Sequence, residues 1–149
     1  GADDDVAGGG EEQAALVVVS PDRDDQAAGQ RGPPLAAGLG PAALEPTLAS
    51  IQAKVFSVNC AIPGCHGGGT VQQGLRLDPG FSAGNLINVA SPRDANLIRV
   101  VPGNPNASFI IQKLEGTQTL GDRMPQFGPY LSQATIDVIR QWIQLGAPP

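Results

Sequence analysis

Both cysteines and the only histidine of this 149-residue chain fall in Cys60-Ala61-Ile62-Pro63-Gly64-Cys65-His66. Two thiols with an imidazole directly after the second are the set that can pin a haem. The thiols add to its two vinyl groups, and the imidazole falls under the iron. The usual sign of that chemistry has two residues between the cysteines; here there are four. A Cys60–Cys65 disulfide closing a small loop, a zinc site and a Cys–His nucleophile pair are the competing readings. Zinc wants four ligands, and beyond these three residues the chain offers one further soft donor, Met124. A nucleophile has no need of a second thiol five positions away.

Met124 is the sole methionine, in Gly121-Asp122-Arg123-Met124-Pro125, with Gly128 and Pro129 just beyond. So Gly/Pro-rich a segment predicts a loop. A methionine that only fills a core more often sits on a periodic helix face. A loop thioether opposite a single histidine is what a six-coordinate iron of the electron-transfer kind requires.

From about Leu44 onward the chain resembles monohaem c-type cytochromes of the class I kind. It is most similar to the Cys-x4-Cys-His haem domains of exported planctomycete and myxobacterial proteins. The residues that carry the resemblance are Pro46-Thr47-Leu48, the Cys60–His66 motif, Gly67-Gly68-Gly69, Val101-Pro102-Gly103-Asn104-Pro105 with Ser108, Arg123-Met124-Pro125, and the segment Leu131 to Gly146 with Trp142. The resemblance implies one covalent haem c, thioether links at Cys60 and Cys65, and His66 and Met124 as proximal and distal iron ligands. It also implies an all-α, class I-like helical domain around the haem, an extracytoplasmic location (periplasm or cell surface), and redox proteins as partners. The spacing departs from the usual two residues, and Pro63-Gly64 predicts a β-turn that bulges outward.

Elements must then bring these residues together. Pro46 and the capping Thr47 predict a first helix from Thr47 to Val58, with Leu48, Ile51, Val55 and Val58 on one face, delivering Cys60. The three glycines after His66 suit backbone passing close to a flat ligand. Val71 to Val101 reads as loops with one or two short helices. A carbonyl from Leu77–Pro79 or Val101–Pro102 is expected to orient the His66 ring through Nδ1. Asn104-Pro105 has the form of a helix start, running through Phe109, Ile110 and Leu114 to Gly116. Ser132 caps a last helix that ends at Gly146, with Ile136, Ile139 and Ile143 as its stripe, broadened by Trp142 and Leu145. Trp142 is read as packing rather than as an electron relay. Arg123 and Tyr130, and Asn104 or Ser108, are candidate partners for a haem propionate.

Residues 1–44 read as a flexible acidic Ala/Gly/Pro-rich tail or tether, and residues 45–149 as the cytochrome-like domain. The tail carries eight acids and two bases, the remainder six acids and seven bases, so the net −5 belongs to the tail. Within the tail, Ala14 to Val19 has strand character and is expected to dock extended. The start at Gly1 reads as a processed product, with a lipid anchor before it left open, and no apolar run spans a bilayer. An acidic chain without a basic, aromatic-interleaved surface disfavours nucleic acid. Six aromatics are little bulk for a small core, which a buried haem would help to fill. The function expected is one-electron transfer, as a carrier and not an enzyme. A fixed haem subunit of a larger redox complex and a disulfide-stapled binding module are the alternatives. A peroxidase would need a distal acid–base group, and there is no second histidine to serve.

Overall fold

Thr47 starts the first helix as its sequence requires: its hydroxyl accepts from the Ser50 amide at 3.2 Å. The computed structural model describes residues 43–149, and the expectations for the tail, including the docking of Ala14 to Val19, lie outside them. Folded structure is already present at its first residues. Leu44 packs against the core, and the Lys54 ammonium donates to the Ala43 carbonyl.

Helix α1 opens as an α-helical turn, Leu48–Ile51, and continues as a π-helix, Gln52–Cys60. The wide winding is sealed at its end, where the Ala61 amide donates to the Phe56 carbonyl five residues back at 2.7 Å. Such winding is rare and concentrates at functional sites. It also changes which side chains face inward. Ile51, Val55 and Phe56 are buried, whereas Val58, expected on the apolar face, is exposed. The helix runs two residues past the expected Val58, so Cys60 is its last residue.

The chain is not all-α. Four helices are joined by a two-stranded antiparallel sheet, giving a mixed α/β domain among the described residues. Helix α2 is Ser82–Leu86, and strands β1 (Ala90–Ser91) and β2 (Asp94–Ile98) follow it. Ala90 pairs with Ile98 and Ser91 with Asp94, with a bulge between Ala90 and Ser91. Ladder-like bonds continue beyond the strands: Arg99 N to Val89 O at 2.7 Å and Asn88 N to Val100 O at 2.9 Å. The two short apolar runs read as loop or helix, Leu86 to Val89 and Leu97 to Val100, therefore bond to each other. Each is too short to show a period by itself, and pairing across the turn at Pro92-Arg93 decides their state.

The helix expected from Asn104 is divided. Asn104 caps a 3-10 turn, Pro105–Ala107, by accepting from the Ala107 amide at 3.1 Å. Ser108 then adopts extended backbone, and α3, Phe109–Glu115, begins after it. Gly116, at φ +79°, closes α3 in the left-handed conformation, where Thr117 N reaches back to Gln112 O at 3.0 Å. Helix α4, Gln133–Gln144, is capped by Ser132 through the Thr135 amide at 3.2 Å. Ile136, Ile139, Trp142 and Ile143 bury one stripe of α4 in the core shared with Ile51, Val55, Phe56 and Leu114. Leu145, just past the helix, is exposed instead of widening the stripe. Trp142 is fully buried and donates from Nε1 to the Pro148 carbonyl at 2.9 Å, which satisfies its polar edge. Arg140 on α4 grips Glu115 on α3 with two bonds, 2.8 and 2.9 Å, and reaches Asn106 at 2.7 Å.

Candidate functional site

Cys60 leaves the end of α1 into a loop that folds back on it. The Cys65 amide donates to Ile62 O at 2.9 Å, the His66 amide to Cys60 O at 3.1 Å, and the Gly67 amide to Ile62 O at 3.2 Å. The first of these closes the β-turn expected at Pro63-Gly64. Proline stands at its second position and glycine, at φ +84°, at its third, the arrangement of a type II turn. Gly67 is required for a different reason from the one expected. A Cβ there would lie 2.5 Å from the Ala61 carbonyl carbon and closer still to its oxygen, so the side chain is excluded by the loop itself. Gly69 meets nothing. Downstream, Asp78 accepts from the Gly68 amide at 3.1 Å and from Arg76 Nε at 2.7 Å, tying the glycine run to the segment after it.

His66 Nδ1 lies 3.2 Å from the Leu75 carbonyl oxygen, two residues before the nearer expected carbonyl. A carbonyl only accepts, so the ring proton sits on Nδ1 and leaves the Nε2 lone pair free. The His66 amide and carbonyl are both engaged, the carbonyl by Leu77 N at 2.7 Å. Burial lowers the His66 pKa, opposed by the Leu75 bond and reinforced by Arg99 and Lys113. The ring is thus neutral at neutral pH, the state in which imidazole binds a metal.

Both thiols are free, with Cys60 half-buried and Cys65 exposed. Burial, with the neighbouring Cys65 second, pushes the Cys60 thiol up to about 12, so it is protonated at neutral pH.

Met124 reaches the same place from the other half of the chain. Its loop is fastened to α3 by Lys113. The Lys113 carbonyl accepts from Met124 N at 2.9 Å, and its ammonium donates to Leu120 O at 2.6 Å and Asp122 O at 3.0 Å. Cys60, Cys65, His66 and Met124 all line one cavity of about 400 Å³. Its apolar wall includes Phe56, Leu75, Leu86, Phe109 and Leu114. That volume is within the roughly 300–1,000 Å³ of small-molecule and cofactor sites.

The candidate propionate partners are elsewhere. Arg123 donates from Nε to Leu114 O at 3.0 Å, and its guanidinium lies 4.1 Å from the centre of the Tyr130 ring. Neither residue is part of the cavity wall. Ser108 Oγ is taken up by Val101 N and Asn104 O, both at 2.9 Å, and Asn104 by its cap. The charged residues that do line the cavity are Arg93, Arg99, Lys113 and Asp122. Sequence reasoning missed the three cations. The available signal was Arg99 itself, a charge inside the otherwise apolar Leu97-Ile98-Arg99-Val100.

Among the described residues no three or more His, Cys, Asp and Glu side chains gather as a metal cage, and no helix is long and apolar enough to cross a membrane. No protein-family model, curated protein or solved structure matches the chain.

Proposed function

We propose that this domain is a one-electron carrier holding one covalent c-type haem, with His66 and Met124 as axial ligands. The observation that carries the reading is the convergence of both cysteines, the only histidine and the only methionine on a single apolar-walled cavity. The donor set fits the group: two free thiols for two vinyl groups, an imidazole with Nε2 unengaged, and a thioether on a pinned loop.

When bound, the haem supplies a one-electron iron couple. Cys60 and Cys65 would hold the haem covalently, each thiol's S–H adding across one vinyl group, sulfur to one carbon and hydrogen to the other, with no net oxidation. Leu75 holds the His66 proton on Nδ1, which fixes the ring orientation and makes Nε2 the better donor. Met124 would hold the iron together with His66, and a thioether there would raise the reduction potential relative to a second imidazole. With His66 and Met124 both holding the iron, no site would remain for a substrate, which suits a carrier rather than an enzyme. The apolar wall would keep water from the ring, and the exposure of Cys65 would leave the ring edge it holds open to a redox partner. Covalent attachment of this kind implies an extracytoplasmic site of action.

The test is an alkaline pyridine haemochrome spectrum with intact mass, repeated on Met124→Ala. One covalent haem in both proteins, with an altered native spectrum and a lowered potential in the variant, is expected. A colourless chain overturns the reading. An unchanged spectrum and potential in the variant removes Met124 from the ligand set.

A further inference from the structure

Arg99 is a buried charge without a counter-charge. It is 8 % exposed and lines the cavity. Its guanidinium donates to two neutral carbonyls, Asn85 O at 2.8 Å and Gln73 O at 2.7 Å, which leaves three of its five N–H groups uncommitted to them. The ion pairs among the described residues are Arg76–Asp78 and Arg140–Glu115, neither involving Arg99. Burial alone lowers its pKa, with no carboxylate opposing the effect. The other charges on the cavity wall do not repair this. Arg93 and Lys113 are cations, and the Asp122 carboxylate accepts from Gln126 Nε2 at 2.9 Å. A guanidinium held out of water is costly unless an anion meets it. The cavity is therefore built for a ligand that brings acid groups of its own.

The backbone holds Arg99 at that position from both sides. Its amide donates to Val89 O at 2.7 Å, and its carbonyl accepts from Ile110 N at 3.0 Å. The hairpin and α3 thus share the residue, and the two carbonyls under the guanidinium fix the direction of its fork.

We infer that Arg99 is the anchor of the cavity's ligand, binding one of its carboxylates, which under the proposed function is a haem propionate. The assignment rests on that function and moves the propionate contact from Arg123 and Tyr130 to the β-hairpin. Arg99 is a positioning residue: it orients the ring without touching the iron.

The chain supplies a clean readout. Trypsin cutting after Lys54 and Arg76 releases 55–76, which carries both cysteines and no Asp or Glu. Any carboxyl adduct on that haem peptide is then on a propionate. The folded holoprotein is treated with a water-soluble carbodiimide and glycinamide. Each reacting carboxyl condenses with the amine, the carbodiimide taking up the water as its urea. Digestion and mass spectrometry follow. One propionate is expected to label about tenfold slower in the folded protein than in urea, the protection expected of one charge-assisted hydrogen bond. Arg99→Gln is expected to abolish that protection, and Arg99→Lys, keeping the charge but not the fork, to restore part of it. Both propionates labelling at the unfolded rate in the unaltered protein overturns the inference, whether or not the variants fold. So does protection that survives in Arg99→Gln. A 55–76 peptide that carries no haem fails the proposed function instead, an outcome distinct from either.

Discussion

Gly67→Ala tests whether the Cys60–His66 loop is held by its own backbone. The new Cβ would stand 2.5 Å from the Ala61 carbonyl carbon and 3.0 Å from its Cα. Carbon atoms sit comfortably about 3.5–4.0 Å apart, so the loop must open by roughly 1 Å. Backbone cannot rotate aside as a side chain can. The bonds in the way are His66 N to Cys60 O and Gly67 N to Ile62 O, already 3.1 and 3.2 Å. Losing both costs about 2 kcal/mol, at about 1 kcal/mol each. For a domain of about 100 residues that is roughly 10 °C in melting temperature. Gly69→Ala is the matched control, because nothing lies within 4 Å of its Cβ position. Replacing glycine where alanine fits stabilises by about 0.4–1 kcal/mol through the unfolded chain. Urea unfolding followed by far-ultraviolet circular dichroism compares the two, and the pyridine haemochrome per chain gives the haem yield. Gly67→Ala is expected to lose stability and, under the proposed function, haem yield with it, because the displaced loop carries Cys65 and His66. Equal stability and equal yield in the two variants would refute the argument from loop closure.

Ser108→Ala removes a fully buried hydroxyl that accepts from Val101 N and donates to Asn104 O. Leaving the Val101 amide without that partner is expected to cost about 1–3 kcal/mol in urea unfolding, and a cost below 0.5 kcal/mol would sink the account. Arg140→Gln breaks the two-bonded grip on Glu115 between α3 and α4. The Arg140 hydrogen bond holds the Glu115 carboxyl below its ordinary 4.5, so the pair's stabilisation is complete above 4.5 and is lost as pH falls through the lower folded value. The variant should be about 1 kcal/mol less stable than the unaltered protein at pH 7, with the gap closing in strong acid. A gap of the same size at both pH values would show that the charge pair is not its source.

What the sequence revealed and what it hid separate by the range of the forces involved. Cys60, Cys65, His66 and Met124 stood out because each type is rare in this chain, and the structure places all four on one cavity. The caps at Thr47 and Ser132, the Pro63-Gly64 turn and the glycine end of α3 were legible because a few neighbouring residues decide them. The phase of α1 was not, since π-winding turns Phe56 inward where an ordinary helical repeat would choose Val58. Nor was the sheet, because Leu86 to Val89 and Leu97 to Val100 become extended only by bonding to each other. That same pairing carries Arg99 to the cavity, so missing the hairpin also meant missing the cation. Arg123 was chosen as a propionate partner for its adjacency to Met124 in sequence, and it does not line the cavity that Met124 lines. Its Nε donates to Leu114 O and its guanidinium lies over the Tyr130 ring, off the cavity wall. Arg99, beside the hairpin and remote in sequence from every candidate ligand, is the buried cation among the described residues, and neither ion pair there involves it.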